Sequence, residues 1–218
     1  MVLDNGKRYL NQRKMFRAQS YDKIYSDRSK EVEFLLKHLK GKTVLDIGGG
    51  TGAISEALNK KGFECVNVEP DFKMARKSMF KGVNTTYWSA EDFDNSLMLG
   101  KKKYDNAIMM FDVFNFLTDP DKALENISKL LKGRLIFSYW NYEIRKSGWE
   151  FNWKLKRLSY KKWYVDRVEI DFWFPFYHEK HTMKVYKTET ICDLLDKHGF
   201  KVVEKIDDYY TTIIVAEI

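Results

Sequence analysis

Apolar residues recur along this chain in two alternating rhythms, and the alternation predicts the architecture. Over residues 31–39 they fall at Val32, Leu35, Leu36 and Leu39, the spacing of an amphipathic helix, which Gly41 stops. Short apolar runs at Thr43–Ile47, Glu64–Val68, 106–110 and 134–139 read as strands. Helices fall between them at 53–60, 72–79 and 121–131, the last introduced by "TDPD" as cap and first turn. Strand, helix, strand in this order means parallel strands joined by right-handed crossovers, hence an α/β, doubly wound sheet. Ligands of such sheets bind beyond the carboxyl ends of the strands.

After the strand at 134–139 the pattern changes. Residues 140–187 form an insertion dense in aromatics, among them Trp149, Phe151, Trp153, Tyr160, Trp163, Trp173 and Tyr177. Val168, Ile170, Phe172 and Phe174 alternate, and His181, Met183 and Val185 alternate again, which predicts strands across the mouth of the site. Residues 151–160 fit a helix and a strand equally well. "TETICDLLDKHGF" then reads as a capped helix ending at Gly199, and strands at 201–206 and Thr211–Glu217 close the chain.

Composition narrows the picture. A chain of 218 residues, 44% of them hydrophobic, suits one sizeable core. No apolar run approaches membrane-spanning length and the charged amino terminus is unlike a signal peptide, so a cytoplasmic chain is expected. Cys65 and Cys192 lack CxxC spacing and are expected to be core thiols. The net charge of +7 is uneven: residues 1–30 carry eight Lys/Arg against three Asp/Glu, and residues 145–162 carry seven against one. A basic exterior of this kind suits an anionic substrate, an RNA or simply solvent.

The chemistry starts at "VLDIGGGTG", residues 44–52, at the turn from the first strand into a helix. Glycines there permit positive φ and let a ligand approach the main chain. Gly48, Gly50 and Gly52 read G-x-G-x-G and not the dinucleotide pattern G-x-G-x-x-G, and the lysine of a phosphate loop is absent. With Asp46 just before the turn, the loop suits a ligand carrying an ammonium group better than a pyrophosphate. In this form it resembles the first motif of the class I S-adenosylmethionine-dependent methyltransferases.

The resemblance implies roles for further residues. Glu69 would accept the ribose hydroxyls, Pro70 follows it, and Met74 in "EPDFKMARKSM" would pack on the adenine. "WSAEDF" is similar to the family's adenine-edge loop and brings in Ser89, Ala90 and Glu91, with Ser89 standing where the family has an aspartate. "YDNAIMMFDVFNFLTDPDKALENISKLLKG" resembles the fourth strand, its active-site loop with Phe111, and the long helix. The customary Pro-Gly before the fifth strand is reduced to Lys132 and Gly133. The segment "YDKIYSDR" would fold over the cofactor and place Tyr21 or Tyr25 in the site. Residues 1–30 then form a lid ahead of a methyltransferase domain at 31–218, whose insertion at 140–187 caps the substrate. The implied fold is a Rossmann-like, seven-stranded mixed sheet ending in an antiparallel pair, with the aromatic insertion as an antiparallel layer.

An inserted layer followed by "EKHTMKVY" looks like the small-molecule methyltransferases that act on amino sugars and glycine-type amines. Methylation of an amine needs a proton acceptor, and His178 and His181 are the natural ones, with His181 the expected catalytic residue and Tyr139 a second candidate. Trp140, Asn141 and His178 are the expected substrate contacts. "HEKH" lacks the H-E-x-x-H spacing, so no metal site is expected. Two alternatives remain. One is an RNA methyltransferase, against which "FDVFNF" lacks an Asn-Pro-Pro-Tyr type motif. The other is a non-catalytic partner protein, against which the intact glycine motif and Glu69 argue.

Overall fold

The first strand, β1 (Thr43–Ile47), is buried along its whole length because both faces of its sheet are covered. Val44 joins Ile108, Ile136 and Val215 against Val32 and Leu35 of α1 (Ser29–His38) and Ile54 and Leu58 of α2 (Ala53–Asn59). Leu45, Ile47, Met109 and Phe137 face the other way, onto Leu124 and Ile127 of α4 (Pro120–Leu130) and Ile191 and Leu195 of α5 (Thr188–Lys197). The computed structural model describes residues 28–92, 103–144, 148–152, 157–164, 166–174, 177–208 and 211–218. The expected lid, with Tyr21 and Tyr25, lies outside the described residues apart from its last three.

The remaining elements are β2 (Glu64–Val68), α3 (Phe72–Phe80), β3 (Asn84–Thr86), β4 (Tyr104–Met109), a short 3₁₀ turn (Val113–Phe116), β5 (Leu131–Trp140), β10 (Lys201–Asp208) and β11 (Thr211–Glu217). They form a seven-stranded sheet in the order β3-β2-β1-β4-β5-β11-β10. β1 pairs in parallel with β2 and β4, while β11 runs antiparallel to both β5 and β10. The chain steps outward from β1 to β3 and then returns to β4 on the opposite side of β1. That reversal opens a crevice at the carboxyl ends of β1 and β4.

Two boundaries differ from the sequence pattern. α4 runs straight into β5 at Leu131 with no intervening turn. Gly133 lies inside the strand, where a Cβ would stand 2.3 Å from the Asp105 carbonyl oxygen, so this glycine serves close strand approach and not a turn. At α5 the N-cap residue is Lys187 and no side chain of the helix caps it. Glu143 does so from outside, accepting the Thr188 N–H at 3.2 Å and its hydroxyl at 2.6 Å.

The insertion builds its own four-stranded antiparallel sheet, β6 (Gly148–Asn152), β7 (Arg157–Trp163), β8 (Arg167–Phe174) and β9 (Tyr177–Lys184), in that order. Strands β6 and β7 decide the helix-or-strand alternative for 151–160 in favour of strand on both sides of residues 153–156. Val168, Ile170, Met183 and Val185 are buried against Phe116, Trp140 and Tyr142. The cap is therefore seated at the carboxyl ends of β4 and β5. Cys65 is buried and Cys192 half-buried. Burial, helped by the charge of Asp46, pushes the Cys65 thiol up to about 12, as befits a core residue. Among the described residues no helix is long and apolar enough to cross a membrane.

Candidate cofactor and substrate site

The glycine turn leaves β1 with Gly48, Gly50 and Gly52 all in the left-handed region, at φ of 69°, 60° and 74°. Close packing adds a second constraint, since a Cβ on Gly48 would lie 2.6 Å from Val113 Cγ1. The 3₁₀ turn after β4 thus presses directly on the turn after β1. Glu69, at the end of β2, is fully buried and reaches across to the same turn. Its Oε2 accepts the Gly50 N–H at 2.9 Å and its Oε1 accepts the Asp71 N–H at 2.8 Å. Asn67 supports the loop from below, donating to the Gly50 carbonyl at 3.2 Å and to Ser78 Oγ at 2.9 Å.

Asp46 lies under the turn. It is 2% exposed, lies beneath Gly49 and accepts the Ser55 hydroxyl at 2.6 Å. Burial pushes its carboxyl up to about 6, opposed by the Ser55 bond and assisted by the charge of Glu69. A folded value above the unfolded one means that the native state holds a proton the unfolded chain has lost, between about pH 4 and 6. Stability from this group is therefore full at the acid end and falls as pH rises through that window, at about 1.4 kcal/mol per unit. Relative to wild type, Asp46→Asn is expected to gain about 2 kcal/mol between about pH 4.5 and 7.5, read from urea midpoints. A difference that stays constant with pH would remove Asp46 as the source.

On the far side of the turn, Met74 is 6% exposed in α3, a helix capped by Asp71, whose side chain accepts from the Lys73 and Met74 N–H groups. Pro70, half-buried, joins Glu69 to that cap. In the loop after β3, Trp88 remains 37% exposed while Ala90 is buried. Ser89 donates its hydroxyl to Asp92 at 2.8 Å. Glu91 accepts the Thr118 N–H at 2.8 Å and its hydroxyl at 3.1 Å, both on Oε1. Asn126 holds the same loop through the Ala90 carbonyl at 3.0 Å.

Beyond β4, Phe111 and Asp112 adopt φ of 59° and 60°, a left-handed pair without glycine. Such backbone costs of order 1–3 kcal/mol per residue and persists where surroundings fix it. Here the surroundings are explicit. The Arg28 guanidinium lies 3.9 Å from the centre of the Phe111 ring, and the Asp112 N–H donates to Ser138 Oγ at 2.9 Å. Asp112 Oδ2 accepts the Trp140 indole N–H, while Oδ1 is out of solvent and has no hydrogen-bond partner among the described residues. Burial raises this carboxyl to about 6 against the Trp140 and Ser138 bonds. Asn115 completes the joint, accepting the Trp140 N–H at 2.9 Å and donating to the Lys184 carbonyl of β9 at 2.6 Å. Asp112 and Asn115 were absent from the residues expected in the site. The signal available was two polar side chains inside the apolar run "FDVFNF".

At the substrate end the expected residues fall in different surroundings. Tyr139 is fully buried, its hydroxyl donating to Thr188 Oγ1 at 3.1 Å, and burial raises its phenol, which places it in the core. Asn141 is 1% exposed with its amide on Thr188 and Thr212 and its oxygen on the Glu143 N–H, which makes it the joint of β5, β11 and α5. His178 is exposed, bonded to Asp171 at 3.0 Å and stacked on Trp173 at 4.7 Å, opposite Trp173 in the ladder. That rung lies on the outer side of the cap, away from Trp140. Trp140 does face the cap, with the Lys161 ammonium 5.4 Å from its ring centre. His181 pairs with Ile170, and its side chain lies outside those described.

A family model described as a methyltransferase domain matches residues 15–205. The chain belongs to this methyltransferase family. No curated protein matches it in sequence. Among solved structures, this methyltransferase is similar to an S-adenosylmethionine-dependent methyltransferase from Clostridium acetobutylicum, with TM-score 0.66 at 18% identity over 98% of both chains. It is similar to an amino pentose methyltransferase from Micromonospora echinaspora solved with S-adenosylmethionine bound, with TM-score 0.66 at 16% identity, covering 100% of this chain and 98% of that one. A sugar N-methyltransferase from Streptoalloteichus gives TM-score 0.63 at 15% identity, covering 99% and 93%. These likenesses establish the fold as that of the S-adenosylmethionine-dependent methyltransferases.

Proposed function

We propose that this methyltransferase transfers a methyl group from S-adenosylmethionine to the amine nitrogen of a small molecule. The observation that carries the reading is the cap, a four-stranded sheet seated on Phe116, Trp140 and Tyr142 at the strand ends where the acceptor must enter. A lid of that kind suits a small acceptor better than a folded RNA. The residues present fit the donor. Three glycines at positive φ bare the main chain, and the Glu69 carboxylate stands at the same turn with Met74 behind it. When bound, S-adenosylmethionine supplies a methyl group activated on a sulfonium and open to in-line displacement. The chain must orient the amine, exclude water and accept a proton. His181, and Trp140 as a wall of the site, are assigned to those tasks. The amino-terminal segment is assigned as a cover, supported by Arg28 lying on Phe111.

Incubation with radiolabelled S-adenosylmethionine and a panel of amino sugars and simple amines, beside tRNA, tests the reading. Label in an amine supports it; label in tRNA alone overturns it. The donor site has its own test. Glu69→Ala strips the Gly50 and Asp71 N–H groups of a charged partner and removes a ribose acceptor. Affinity for S-adenosylmethionine is expected to fall by about 1.5–3 kcal/mol. Calorimetry showing unchanged affinity in the folded variant would take Glu69 out of the donor site.

A further inference from the structure

We infer that the Asp112 carboxylate is the anchor for the acceptor's protonated amine, making it a specificity-determining residue for cationic substrates. The inference rests on the amine reading above and adds the group that recognises the amine. Asp112 stands in the turn that follows β4, and the next residue, Val113, is the one that packs on Gly48, so this turn borders the donor's turn. Its Oδ2 is held by the Trp140 indole, and Trp140 packs on the cap. The residue is therefore fixed between the donor loop and the substrate lid. Its Oδ1 is closed to solvent and has no hydrogen bond of ordinary geometry among the described residues, while the Ser138 hydroxyl lies near enough to the carboxyl to favour its charged form.

A buried carboxylate oxygen without a donor is costly unless a ligand supplies one. An ammonium supplies both the N–H and the compensating charge; an alcohol supplies the hydrogen bond alone. The neighbouring carboxylates are not available for this task. Glu69 is assigned to the donor's ribose, and Asp46 lies beneath Gly49, bonded to Ser55. Among the described residues, Arg28 lies on the Phe111 ring, Lys161 on the Trp140 ring, and Lys184 donates to the Leu117 and Thr118 carbonyls. The left-handed backbone at Phe111 and Asp112 fits the assignment, because strain of this kind collects where a side chain must be presented in one direction. An ammonium held through one N–H releases the proton that faces the donor to a separate acceptor, and the lone pair this leaves is the one that attacks. In wild type the anchor acts above the titration of Asp112, raised to about 6 by burial, and below that of the amine.

The test titrates cyclohexylammonium, and separately its neutral isostere cyclohexanol, into the full chain saturated with S-adenosylhomocysteine near neutral pH. The readout is the Trp140 indole N–H resonance, which reports on its Asp112 partner. The ammonium is expected to shift that resonance saturably and cyclohexanol at equal concentration to leave it in place. Asp112→Asn is expected to weaken ammonium affinity by about tenfold or more while still binding S-adenosylhomocysteine, which shows that it is folded. Equal responses to the two probes, no response to the ammonium, or undiminished affinity in Asp112→Asn overturns the anchor. Should Asp112→Asn fail to fold, Trp140→Phe leaves the carboxylate in place, and the ammonium should still move the Asp112 carboxylate carbon resonance; no movement overturns the assignment. The two readings fail separately. Amines methylated with KM untouched by Asp112→Asn leave the amine reading standing without its anchor, whereas label in tRNA alone removes the amine reading itself.

Discussion

Gly50→Val is expected to lower S-adenosylmethionine affinity by at least about 10³-fold, equivalent to roughly 4 kcal/mol, and to lower stability by about 2 kcal/mol. Gly50 sits at φ of 60°, where a β-branched residue is a genuine outlier. Both of its backbone groups are engaged: the N–H on Glu69 and the carbonyl on Asn67. A valine must either keep the strained backbone and fill the space a ligand needs, or relax it and release the Glu69 carboxylate from the turn. Either route removes the donor site. Gly62→Ala is the control, at φ of 89° with nothing within 4 Å of the added Cβ. It should cost about 1 kcal/mol of stability and no affinity. Calorimetry that finds normal binding in folded Gly50→Val would place the donor elsewhere.

What the sequence made legible is what periodicity and local turn chemistry govern. β1, β2, β4 and β5 announce themselves because both sheet faces are covered, and the glycine turn because positive φ leaves few other residues able to stand there. The α4–β5 junction was obscure, since Gly133 reads as a turn until the Asp105 carbonyl is seen pressing on it. Capping of α5 was obscure in a similar way, because Glu143 comes from another part of the chain. Tyr139 and Asn141 show the limit more sharply. Topology puts the end of β5 at the site, but Thr188 and Thr212, distant in sequence, draw both side chains into the fold. Alternation along β9 likewise says which residues share a face without saying which face meets the domain, and His178 fell on the outer one. Asp112 had no spacing signature at all. Its significance comes from an indole 28 positions later that occupies one oxygen and leaves the other without a partner.

His181→Ala is expected to lower kcat by about 10²-fold or more with S-adenosylmethionine affinity nearly unchanged, and the loss should shrink as pH rises. An amine that is protonated near neutral pH must lose a proton before its lone pair can attack, and an imidazole titrates where that transfer is feasible. The rung occupied by His181 supports the assignment. It pairs with Ile170, which is 2% exposed and packs in the cluster seated on Trp140, whose indole bonds Asp112. At high pH free amine becomes abundant and the acceptor is no longer needed, so a base and a wall part company there. Loss of equal size at every pH would make His181 a shaping residue. No loss at any pH would pass the proton to Asp112, since the buried Tyr139 phenol, kept protonated by its surroundings and donating to Thr188, has neither the access nor a free basic site.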